Sequence, residues 1–280
     1  MIPQKNRKKY RLIAVEVIMI IVALIYIYPV YLMFMNSVKP FGEVVADVIK
    51  LPTKIEFQNY IDVVEKMHYQ KLFLNNLIIT SIGIVGIVVF SASTAYILDR
   101  RRTKYTKFVH LAIITPMLIP FQTIMITLLK VMSVVNLNSS TWGLGIQYWG
   151  FGIPMATFIY YNFMSTIPKE IDESATIDGA STFRTFVSVI FPLLKSVTAT
   201  VVVLDVMWIW NDFLLPLLMV NSSKNTQTLV LSAYTFVGQF NTQWHYAMTA
   251  MVLAVLPSII LFIVLQKYIV EGVVAGAVKG

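Results

Sequence analysis

Residues 13 to 35 hold a single charged side chain, Glu16, in a run that is otherwise apolar or aromatic. A helix of about 20 residues rising ~1.5 Å each covers the ~30 Å hydrocarbon core of a bilayer, so this run predicts a membrane span. Glu16 falls near the basic end of the run, close to Lys9 and Arg11, where an interfacial acid is tolerated. Further apolar runs at about 73–98, 108–132, 142–163, 193–220 and 246–268 bring the expected count to six spans. Composition agrees. With 57% hydrophobic and 13% charged residues, the chain has too few polar side chains to coat a soluble globule of 280 residues. The expected fold class is therefore an all-α membrane protein.

The net charge of +8 is unevenly placed, and its placement reports topology. Five basic residues lie within residues 1–12, and five more run from Arg100 to Lys107. Both segments are expected on the cytoplasmic side, which puts both termini there and residues 37–72 and 221–245 outside. No basic face with interleaved aromatics occurs outside the spans, so no nucleic-acid partner is expected. The basic N-terminus leads into an apolar run without a small-residue cleavage site, which reads as an uncleaved anchor. The absence of cysteine excludes disulfides and thiolate chemistry. His68, His110 and His245 are scattered without ligand spacing, so neither catalysis nor a metal site is inferred.

Several spans carry marks that plain lipid-facing helices lack. Pro116 and Pro120 loosen the backbone ladder of the third span, which also holds Gln122 and Lys130 and is expected to line a cavity. Gly143, Gly145, Gly150 and Gly152 in the fourth span permit close helix packing or a break. The fifth contains Asp205, Trp208, Trp210, Asn211 and Asp212 at membrane depth. A carboxylate at the bilayer centre costs about 2.5–3.5 kcal/mol on insertion scales, so both acids should face protein or a pore. Helical spacing puts Asp205, Trp208 and Asp212 on one side and Trp210 on another, where packing is its expected role. Gln122, Asp205, Trp208, Asn211 and Asp212 are the candidates for a cavity that binds hydroxyl-rich solutes. The alternative is that Asn211 and Asp212 only lock helices together.

The segment from 164 to 192 is the amphipathic exception. Glu170, Asp172, Glu173 and Asp178 precede Gly179, and Phe183, Phe186, Val187 and Ile190 follow at the spacing of one helical face. Two short helices are expected, the first ended by Gly179 in a left-handed turn and the second capped by Ser181. Pro192 should open the next element. The first helix is expected to expose Ala175 and Ile177 as a plug for a partner.

Glu173-Ser174-Ala175, then Gly179, then Val189-Ile190-Phe191-Pro192 resembles the EAA loop of permease subunits in binding-protein-dependent ABC importers. Ser174 stands for the usual alanine and Phe191 for the usual leucine. Trp210-Asn211-Asp212-Phe213 with Pro216-Leu217, and the C-terminal GAVKG, resemble the carbohydrate branch of the same family. The resemblance implies a type I ABC importer permease fold in a bacterial cytoplasmic membrane. It further implies a second permease subunit forming a heterodimer, two ATPase subunits and an extracytoplasmic solute-binding protein, moving a carbohydrate, with an oligosaccharide the expected form. Glu173, Ser174, Ala175, Asp178, Gly179 and Ala180 would then couple to an ATPase, and the 269–280 tail would enter the ATPase interface. Only one of the two permeases need hold the sugar. No GxxxxGK[ST] phosphate loop occurs, so this chain is expected to bind no cofactor, with ATP and Mg on the partner ATPase. The alternative is a gradient-driven transporter using Asp205 and Asp212, for which a duplicated helix pattern would be expected and is not found.

Overall fold

The computed structural model describes residues 4–238 and 242–277, and every regular element among them is helical. In chain order these are α1 (Gln4–Ser37), α2 (Phe41–Ala46), α3 (Gln58–Met67), α4 (Tyr69–Arg100), α5 (Lys104–Ile114), α6 (Phe121–Val134), α7 (Thr141–Met164) and α8 (Glu170–Ile177). Then come α9 (Thr182–Thr185), α10 (Phe191–Leu193), α11 (Lys195–Asn211), α12 (Leu214–Met219), α13 (Leu229–Ala233) and α14 (Trp244–Ala277). Among the described residues three helices are long and apolar enough to cross a membrane: α1 over Arg11–Ser37, α4, and α14 over Trp244–Gln266. Counting two sharply bent helix pairs as one span each raises the total to five.

Those bends depart from the straight spans expected. Between Lys104–Leu118 and Phe121–Val134 the axis turns by 103°. Pro120 is the cause: it has no amide hydrogen, and it forces the preceding Ile119 out of the helical region, to ψ 115. The fifth apolar run is likewise not one helix. Thr182–Leu193 and Lys195–Asn211 meet at 77°, and α11 stops at Asn211 because Asp212 is extended, with ψ 137. The glycine-rich fourth run, in contrast, forms one unbroken helix, α7. At the C-terminus the helix runs on through Ala277, where a separate tail was expected from 269, and the last three residues of GAVKG lie outside the described residues.

The chain divides into two units. The first comprises Met1–Tyr69 and Ala233–Ala254. From Arg11 to Tyr31 every side chain of α1 is exposed, so an apolar surface runs all round this helix. Beyond it lies a polar knot. The Ser37 carbonyl accepts from Asn59 Nδ2 at 3.0 Å and Thr249 Oγ1 at 2.8 Å, and Ser37 Oγ meets the Tyr60 hydroxyl at 2.7 Å. Lys39 is buried and donates to the carbonyls of Asp47 (3.1 Å) and Val48 (3.4 Å). Burial pushes its pKa down, while Asp47 and Glu43 pull it back up.

The second unit comprises Gln70–Ser232 and Val255–Gly280. Its core is built around Ile87, Tyr148, Tyr160, Met164, Ile190 and Leu194, all fully buried. Helices α4 and α7 approach so closely at Gly145 that a Cβ there would lie 2.8 Å from Ile82 Cβ and 3.2 Å from the Ile79 carbonyl. Only glycine allows that contact.

Candidate functional site

Helix α8 begins with Glu170, Asp172 and Glu173 in its first turn, where the amide dipoles favour negative charge. It ends as its sequence requires. Gly179 takes φ +80, its amide donates to the Thr176 carbonyl (3.0 Å), and the Ala180 amide reaches the Ala175 carbonyl (2.9 Å). This pair of bonds is the Schellman closure, which favours glycine at the left-handed position. Ser181 then caps α9 by accepting from the Arg184 amide at 3.3 Å, and Pro192 sits in the first turn of α10. Gly179→Ala is expected to cost about 1–2 kcal/mol through the left-handed backbone alone, because a Cβ there meets nothing within 4 Å. A lower thermal midpoint of the purified protein would report it, with Gly179→Asn milder. An unchanged midpoint for the alanine variant would contradict the turn.

The faces of α8 are not as expected in one respect. Ala175 is buried, since helical spacing carries it to the inner side with Ile171 and Asp172. Glu173, Ser174, Ile177 and Asp178 face outward, Ile177 being 86% exposed, and Phe183 beyond the turn is 77% exposed. Phe186 and Ile190 turn inward instead, so the apolar residues after Gly179 do not form one face. Among the described residues the Glu173 carboxylate makes no hydrogen bond or ion pair, whereas the Ser174 hydroxyl is spent on the Glu170 carbonyl (2.8 Å).

The inner face holds a feature that sequence reasoning missed. Asp172 accepts from Arg100 Nε at 2.9 Å and from the Tyr96 hydroxyl at 2.7 Å. Arg100 Nη1 also reaches Asp99 (2.7 Å) and the Ile167 carbonyl (3.3 Å), and Asp99 takes Arg102 Nη2 at 2.5 Å. Arg102 lies outside the apolar helices, and its pKa is pushed up by that hydrogen bond. The side chains of Asp99 and Arg100 are 1% and 11% exposed, so the C-terminus of α4 grips α8 through buried charge. The basic run after α4 thus supplies an anchor as well as a topology signal. Nothing local in either segment announces a pairing across 72 residues.

A cavity of about 210 Å³ opens between α6, α7, α11 and α12, lined by Gln122, Trp208, Asp212, Phe121, Phe151 and Leu215 among others. Asp212 Oδ2 accepts from the Tyr148 hydroxyl (2.9 Å), and Oδ1 accepts from the Leu214 amide (3.1 Å). Trp208 meets the Tyr148 ring edge-on, with centroids 5.3 Å apart. Three of the five sequence candidates therefore converge. Asn211 does not line the cavity; it donates to the Met207 carbonyl (2.8 Å) and accepts from Ser258 Oγ (3.1 Å), locking α11 to α14. Asp205 does not line it either. Trp210 is buried, edge-on to Phe73, in the packing role expected. At this volume the cavity falls below the ~300 Å³ where ligand pockets begin, too small for an oligosaccharide in this conformation.

A profile of the family described as "Binding-protein-dependent transport system inner membrane component" matches residues 87–274, a stretch that contains α8, its anchor and the cavity. The chain belongs to this family. The permease is accordingly a multi-pass membrane protein and a transporter subunit, not an enzyme. It is 37% identical over 260 residues to the probable starch degradation products transport system permease protein AmyC of Thermoanaerobacterium thermosulfurigenes, covering 93% of this chain and 94% of that one. It is 35% identical over 262 residues to the melibiose/raffinose/stachyose import permease protein MelC of Bacillus subtilis, at the same two coverages. A solved chain from a bacterial ABC transporter involved in the import of the acidic polysaccharide alginate superposes with a TM-score of 0.80 at 22% identity. That superposition covers 96% of the permease and 99% of the solved chain, and assigns the type I ABC permease fold.

Proposed function

We propose that the permease is one of two membrane subunits of an ATP-driven importer that carries a carbohydrate, an oligosaccharide, across a bacterial cytoplasmic membrane. The observation that carries this reading is α8: an acidic, outward-facing helix with Ile177 bare, held from behind by buried ion pairs. Such a helix is fitted to enter a partner's cleft and to move as a rigid piece with α4. The partner is a pair of ATPase subunits that bind ATP and Mg²⁺, this chain binding neither. Glu173, Ser174 and Asp178 face that partner, while Ala175, Gly179 and Ala180 shape the helix that presents them. A second, different permease and an external binding protein complete the assembly. The sugars named for related permeases support the substrate class, and Gln122, Trp208 and Asp212 supply the indole face and hydrogen-bonding groups a sugar ring requires.

The same reading assigns six spans with both termini in the cytoplasm. Helix α7 is the sixth; its 24 residues lack Asp, Glu, Lys and Arg, and ~1.5 Å per residue gives about 36 Å, enough to cross. Glycine, tyrosine, tryptophan and Gln147 lower its hydropathy without adding charge. The bent pair α5–α6 counts as one broken span. Ion pairing of Arg100 and Arg102 does not weaken the orientation argument, because that bias follows Lys and Arg number, not net charge.

The test is reconstitution of the co-purified complex into vesicles with the binding protein inside or outside, followed by uptake of labelled malto- and galacto-oligosaccharides. Uptake is expected only with the binding protein outside the vesicles and ATP inside. Uptake that persists without ATP and collapses with a protonophore would instead assign a gradient-driven mechanism.

A further inference from the structure

Where α4 gives way to α5 there is a second cavity, of about 470 Å³, whose lining combines two chemistries. Arg102, Lys107, His110 and Thr106 make one part polar and basic, and Leu98 and Leu111 make the other part apolar. Five basic side chains lie between 100 and 107, and their ion pairs among the described residues reach only Asp99 and Asp172. Lys107 makes no ion pair there and is exposed. The His110 ring lies tilted against Tyr161, centroids 4.3 Å apart, yet its Nδ1 is buried with no hydrogen-bond partner among the described residues. A buried polar atom without a partner is costly, and His110 is itself part of the cavity lining. Around the cavity Tyr105, Phe108 and Leu111 are 74%, 68% and 59% exposed, a belt of aromatic and aliphatic side chains beside basic ones. Such a belt marks the level of lipid headgroups.

We infer that this cavity binds the phosphodiester headgroup of an anionic phospholipid. The anion sits against Lys107, Arg102 and His110, and its acyl chains run along Leu98 and Leu111. Free phosphate shares the headgroup chemistry, but the apolar wall and the exposed belt favour a lipid. Arg102 belongs both to this cavity and to the ion pairs that hold α8, so an occupant shares a guanidinium with Asp99. The inference rests on the membrane assignment and on neither the transported solute nor the ATPase, so its failure would leave the proposed function standing.

The test is lipid retention by the full purified complex after incubation with equal phosphatidylglycerol and phosphatidylcholine and exhaustive washing in mild detergent, read by mass spectrometry of the bound lipid. Phosphatidylglycerol is expected to be retained in preference. Lys107→Gln should lower its retention roughly fivefold, the effect of one basic residue at a membrane surface. His110→Phe, which keeps a ring against Tyr161 and removes Nδ1, should act in the same direction, while Lys50→Gln, at an exposed lysine in the other unit, should have no effect. Equal retention of the two lipids, or retention unchanged by both Lys107→Gln and His110→Phe, would overturn the proposal. So would displacement of phosphatidylglycerol by excess inorganic phosphate, which would assign a free-anion site.

Discussion

A Glu173→Lys permease is expected to reach the membrane and assemble in normal amounts, yet to transport at less than about a tenth of the wild-type rate. Among the described residues the carboxylate makes no hydrogen bond or ion pair, and it is exposed on α8, so its replacement breaks no polar contact there. If α8 docks on a basic surface as proposed, the new ammonium places like charges together, a juxtaposition that costs several kcal/mol, and ~1.4 kcal/mol is already a factor of ten. The measurement is ATP-driven uptake beside ATP hydrolysis in the same vesicles, with subunit stoichiometry on a gel. Wild-type uptake would remove Glu173 from the partner contact. Loss of the permease from the membrane would mean that the residue serves folding instead.

Arg100→Met should act through stability. The methionine matches much of the side-chain length but removes the cation shared by the Asp99 and Asp172 carboxylates, leaving Asp99 with Arg102 and Asp172, 16% exposed, with the Tyr96 hydroxyl. A wholly stranded buried charge costs about 3–5 kcal/mol, and these remaining partners hold the loss below that. The expected result is a large fall in thermal midpoint and faster proteolysis between α7 and α10. Neutralising all three groups together, as Asp99→Asn, Arg100→Met and Asp172→Asn, should restore much of the loss. A triple variant no more stable than Arg100→Met would mean that Arg100 acts through its packing and not its charge.

What was legible in the sequence was what depends on near neighbours. Gly179 and Ser181 mark turn and cap because a left-handed residue and a hydroxyl acceptor act within three residues of where they stand. The three long apolar helices were legible as apolar runs, since hydropathy is additive along the chain. Breaks within the other runs were less so. Pro116 and Pro120 announced a weakened ladder, but the 103° turn arises where Ile119 becomes extended. Spacing put Asp205, Trp208 and Asp212 on one side; Trp208 and Asp212 line one cavity, whereas Asp205 does not. Ala175 was expected on the surface because composition does not report which side of a short helix is covered. Asp172 went unrecognised because its partner lies 72 residues away.

Residues of α8 and its C-cap, Asp178, divide their duties by position. Ile171, Asp172 and Ala175 seat the helix on its own chain, and Glu173, Ser174, Ile177 and Asp178 are turned to the outside. Recognition is thereby portable. A transplanted helix needs an apolar residue at 171, an acid at 172 and a small residue at 175 to keep its seat, leaving the outward set free to be rewritten.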